Sequence, residues 1–179
     1  MRRPILWCGL VLLTAAPLRA EPATPKLVED VWHAAYLEGA RTGYYRTTVH
    51  QIERDGRTLL RTALSMHLTV KRYNAVVELR IETGTEETRA GKIVALSLTQ
   101  FLDKGKVVQT GRVDGDELIV RTGGGEARRV PWDSAALGLH RQQELFRERK
   151  VKPGDRFRYR NYELLLLAAV PVTVTVKQP

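Results

Sequence analysis

The chain has 179 residues, 43% of them hydrophobic, with 29 lysines and arginines against 20 aspartates and glutamates and a single cysteine. One thiol rules out an internal disulfide and a multi-cysteine metal site, so stability has to come from an apolar core. The net charge of +9 favours anionic partners, but the basic residues are scattered among acids, which describes a solvated surface more than a nucleic-acid stripe.

Residues 1–20 carry the parts of a secretory signal peptide. Arg2 and Arg3 form a basic head, residues 5–18 are uncharged and apolar, and Ala20 precedes polar residues. That apolar run is shorter than the roughly 20 residues of a permanent span. The sequence therefore predicts export to the periplasm or the extracellular space, cleavage after Ala20 and no stable membrane span. Cys8 leaves with the leader, and without Arg2, Arg3 and Arg19 the remainder has 26 basic and 20 acidic residues, net +6. Export also argues against a nucleic-acid partner. Residues 21–28, with Pro22 and Pro25, read as a linker. Residues 29–179 then form one β-rich domain.

A period of two dominates that domain. Strands are expected at residues 31–37 and 44–53. Leu60, Leu64, Met66, Leu68 and Val70 next share one face, opposite Arg61, Ser65, His67 and Thr69. Val77, Leu79 and Ile81 alternate with charged residues, and Val94, Leu96 and Leu98 repeat the pattern. Further strands are expected at 106–112, 117–122 and 156–162. The pairs Asp55-Gly56 and Asp114-Gly115 suit tight hairpins, so consecutive strands run antiparallel. Residues 134–150 break the period and predict a helix capped by Asp133 or Ser134 and stopped at Lys152-Pro153-Gly154-Asp155. The fold class is mainly β (α+β), a curved antiparallel sheet or meander with one helix packed on it. Val170, Val172, Val174 and Val176 then form a last alternating strand, expected inside the sheet or at a protected edge. Were the chain truncated there, the strand would lie at an open edge.

Chemistry is sparse. His33, His50, His67 and His140 share no metal-ligand spacing, and no serine sits on a nucleophile elbow. Glu86 and Glu87 read as part of a polar loop, without the burial that separates acid from base roles. The sequence thus predicts no catalytic residue, no metal and no cofactor. The aromatics are the one candidate set. Trp32, Tyr36, Tyr44 and Trp132 are taken as candidate ligand-binding residues, since a curved sheet under a helix can enclose an apolar site.

Three stretches carry a family resemblance. They are Trp32, Tyr36, Gly39, Gly43 and Tyr44; Leu68-Thr69-Val70-Lys71-Arg72; and Gly138-Leu139, Arg141-Gln142-Gln143, Leu145-Phe146 and residues 150–155. In this order they resemble the N-terminal region of secreted transglutaminase-like proteins of planctomycete-type bacteria. The catalytic domain of that family, with its Cys-His-Asp triad, lies downstream, and none of the triad is present here. The resemblance implies an accessory β module that binds or positions a substrate or partner, either an envelope protein or a downstream transglutaminase-like domain. The opening aromatic motif is also similar to periplasmic proteins related to lipoprotein carriers, which implies the alternative of a half-barrel carrier or sensor of apolar ligands.

Overall fold

The computed structural model describes residues 24–177 apart from 74, 103 and 104. The signal-peptide reading falls outside these residues. Eight strands form one antiparallel sheet in which each pairs with its sequence neighbour: β1 (Lys26–Leu37), β2 (Ala40–Arg54), β3 (Arg57–Arg72), β4 (Ala75–Thr88), β5 (Ile93–Leu102), β6 (Gly105–Asp114), β7 (Glu117–Thr122) and β8 (Arg128–Pro131). The helix α1 (Leu139–Glu148) follows. A separate hairpin of β9 (Arg156–Glu163) and β10 (Ala168–Thr175) completes the order. The fold is thus the β-rich antiparallel meander with one helix that the alternation implies.

The turns follow from local chemistry. Glu38-Gly39 and Asp55-Gly56 both have positive φ at their two central residues, the conformation that matches the twist of a two-residue hairpin. Register shifts between Ala35 and Tyr36 and between Glu86 and Glu87 mark bulges.

Several expectations are corrected. The linker ends earlier, because Lys26, Leu27 and Val28 already belong to β1. The helix starts five residues later than expected, at Leu139. Asp133 accepts instead from the Ala135 N–H in a local turn, leaving Gly138 at the N-cap position with no side-chain cap of its own. Strand β8 had no sequence signal, being four residues long with two arginines. It forms because Val130 pairs with Leu118 while Arg129 reaches Glu117 at 2.6 Å. Strand β10 keeps its alternation but pairs only with β9, apart from the main sheet, so it is not inside that sheet.

Cross-strand partners point to the same side, so the register sorts the sheet into two faces. The row Val49, Thr62, Thr85, Leu96, Gly111 and Val120 crosses six strands on the helix face. The core lies there: Ile93, Leu96, Leu98, Leu118, Val120, Ala136, Tyr162 and Leu164 are buried together. The β9–β10 hairpin and α1 cover it, with Phe146 edge-on to Phe157 at 5.1 Å.

Glu86 and Glu87 are not in a loop. They lie near the end of β4, and both are buried. Alternation sends Glu87 to the helix face, where its carboxylate accepts from the Thr85 hydroxyl at 2.7 Å and from the His140 and Arg141 amides at 2.9 and 3.1 Å. Thr85 Oγ1 accepts from the Leu139 amide at 3.1 Å. The helix's first turn is thus capped from β4, satisfying amides that a short helix leaves free and placing a negative charge at its positive end.

The other end of the helix is tied by Arg147, which binds Glu29 of β1 and Glu144. The hydrogen bond from Arg147 holds the Glu29 carboxyl below its ordinary pKa. A carboxyl with a depressed folded-state pKa stabilises the fold above its unfolded value, and that contribution is lost as pH falls through the folded one. For a partly exposed pair it is at most about 1 kcal/mol. Glu29→Gln should therefore lower stability by at most about 1 kcal/mol at neutral pH and match the parent in acid, as urea titrations at several pH values would show.

Candidate functional site

The face away from the helix carries the polar half of the alternation. Three adjacent rows define it. One runs His50, Arg61, Glu86, Ala95, Arg112 and Ile119. The next is Thr48, Ala63, Gly84, Ser97, Thr110 and Arg121, and the third contains Trp32, Arg46, Ser65 and Glu82. The middle row has almost no bulk. A groove of about 990 Å³ opens over it, walled by Arg54, Arg57, Arg61, Arg112 and Arg121, with Asp55 and Glu86 as its acidic residues.

The charge in this groove is unevenly answered. Glu86 receives Arg54 and, at 2.9 Å, Arg61. The two guanidiniums answer the charge of this buried side chain. Arg57, Arg112 and Arg121 have no carboxylate partner among the described residues. Guanidinium groups present a planar fork of donors that suits carboxylate or phosphate oxygens.

The candidate aromatics are divided by the fold. Trp32 and Tyr44 meet on the open face, ring centroids 5.0 Å apart, with Tyr44 edge-on to His67 at 5.6 Å. Arg46 lies 4.9 Å from the Trp32 ring and is held by both oxygens of Asp30, at 2.8 and 2.7 Å. The Asp30 carboxyl is accordingly held below its ordinary range, and Arg46 above its own. Trp32, Tyr44 and Arg46, with Ser65, His67, Arg80 and Glu82, line a hollow of about 160 Å³. Tyr36 stands apart at the end of β1, 66% exposed. Trp132 is on the helix side, packed on Tyr162 at 4.9 Å beside the core. The set is therefore one pair, one surface residue and one core neighbour.

The groove arginines carry no local sign in the sequence, because they come from four strands, β2, β3, β6 and β7. Alternation assigns each to the polar side, but only the register shows that they converge. No protein-family model, curated protein or solved structure matches this chain. Among the described residues, no helix is long and apolar enough to cross a membrane.

Proposed function

We propose that this is an exported, non-catalytic binding module that holds an anionic ligand or partner segment on its open sheet face. The carrying observation is the convergence of Arg57, Arg112 and Arg121, without carboxylate partners, on a groove floored by Ala63, Gly84, Ser97 and Thr110. Small residues let a ligand approach the sheet closely, and the guanidiniums supply charge-assisted hydrogen bonds. The resemblance to the N-terminal region of transglutaminase-like proteins supports the same role, an accessory surface that positions a substrate or an envelope partner. The alternative, a carrier of apolar ligands, draws support only from the Trp32–Tyr44 hollow. Its 160 Å³ falls below the roughly 300 Å³ at which ligand sites begin.

Local and global charge can be separated by experiment. Arg112→Ser with Arg121→Ser should weaken binding of dextran sulfate by about tenfold or more and flatten its salt dependence, since each charged contact contributes on the order of 1.5 kcal/mol. Arg156→Ser with Arg158→Ser removes the same charge from exposed sites on β9 and should change binding only slightly. Equal losses in the two double variants would mean that net charge, not the groove, binds the polymer.

A further inference from the structure

The groove and the aromatic hollow are one surface. On the open face of β3 and β4 the pair Ala63–Gly84 lines the groove, and the next pair on that face, Ser65–Glu82, lines the hollow. Nothing separates them along the strands. From Arg121 on β7 to Trp32 on β1 is six strand spacings across the sheet, about 30 Å at about 4.8 Å each, or about six pyranose rings end to end.

The chemistry changes along that length in a definite order. At one end are the guanidiniums of Arg112 on β6 and Arg121 on β7. In the middle, Ser65, Ser97 and Thr110 offer neutral hydroxyls that both donate and accept. Glu82 also lies there, its charge answered by Arg80 at 2.9 Å. At the far end Trp32, 56% exposed, and Tyr44 give an aromatic platform. Aromatic faces are electron-rich and attract the slightly positive C–H face of a sugar ring. Acid-binding forks, hydroxyl-matching side chains and a ring platform in one line are what a linear sugar chain bearing carboxylates requires.

We infer that the ligand of the open face is an acidic polysaccharide, lying across the strands from β7 to β1 with a uronate-type carboxylate among the groove arginines and a sugar ring on Trp32. This rests on the anion-binding reading above and adds the ligand class. A polyphosphate would use the arginines but leave the platform idle, and single-stranded DNA would stack on the platform with no use for the hydroxyl floor.

The test is calorimetric titration of the mature domain with galacturonate oligomers of increasing length, sodium polyphosphate, oligothymidylate and neutral oligosaccharides. Affinity for galacturonate should rise with length, level off near six sugars and exceed that for the neutral chains. Trp32→Ala should remove the gain with length, about tenfold, while leaving the affinity of the shortest oligomer unchanged. Tyr36→Ala, an exposed aromatic outside this line, should change neither. Polyphosphate or oligothymidylate binding as tightly as galacturonate, or a Trp32→Ala protein with unaltered length dependence, would overturn the polysaccharide assignment and leave the anion groove standing. Failure of every anion to bind the parent protein would overturn both readings.

Discussion

Replacing Glu87 by alanine is expected to cost about 2–4 kcal/mol. The change removes the acceptor for the His140 and Arg141 amides and for the Thr85 hydroxyl. It leaves those donors in a place water reaches poorly, at about 1–3 kcal/mol for each one unsatisfied, less what relaxation recovers. The charge that answers the positive end of the helix goes as well. In a domain of this size the loss should lower the melting temperature by about 10 °C. Glu87→Gln, which keeps shape and one acceptor oxygen, should cost about half as much, since the charge-assisted bonds are the stronger ones. Gly138 supplies the check. A Cβ there would stand 2.2 Å from Glu87 Cδ, so Gly138→Ala should cost about 2 kcal/mol in the parent protein. In the Glu87→Ala background the obstructing carboxyl is absent and the same change should cost almost nothing. Urea titrations of the four proteins give the coupling energy, and purely additive losses would show that Glu87 does not cap the helix.

The second large effect is expected at Gly43→Ala. Gly43 pairs with Leu68 across β2 and β3, and a Cβ built on it would lie 2.0 Å from the His67 carbonyl oxygen and 3.0 Å from Leu68 Cα. These are backbone atoms, which cannot rotate aside as a side chain would. The two strands must separate or the register must shift, at about 3 kcal/mol or more by the cost of forced overpacking. The damage is next to Tyr44 and His67, whose rings meet edge-on on the open face. The variant should therefore lose amide protection along residues 67–70 and, with it, the aromatic end of the ligand surface. Native-like hydrogen exchange there would show that the ladder does not need the glycine.

Strands were easy to anticipate because alternation is a local property. Leu60, Leu64, Met66 and Leu68 announce β3 without reference to anything else, and Asp55-Gly56 announces its turn. Glu86 and Glu87 were misplaced for the opposite reason. Two adjacent carboxylates look like solvent-facing residues until their partners are known, and those partners, Arg54 and Arg61 on one side and the helix amides on the other, lie 25 to 54 residues away. The helix start was misread by the same logic, since its cap comes from β4 and not from Asp133. Trp32 and Trp132 show the limit for sites. Both are large, amphipathic and on strand-like or neighbouring segments, yet one faces solvent beside Tyr44 and the other packs on Tyr162. Composition cannot separate them, because the difference is decided by the side of the sheet each happens to meet.

The strictly sequential order of the main sheet has a kinetic meaning. Every one of its ladders joins neighbours in the chain, so each can close after a short turn without waiting for a distant segment. Sandwiches of comparable size must first bring far-apart strands together, and they fold slowly for that reason. Here the distant encounters are those that seat the cover: the cap on Glu87, the tie between Glu29 and Arg147, and the packing of Tyr162 and Leu164 on the sheet core. The sheet can zip hairpin by hairpin, while the helical cover has to find its seat last and on few anchors. Such a late, lightly fastened element is also the first to detach, so the molecule's cheapest excursion from its native state lifts the helix and bares the apolar side while the ribbon beneath keeps its order.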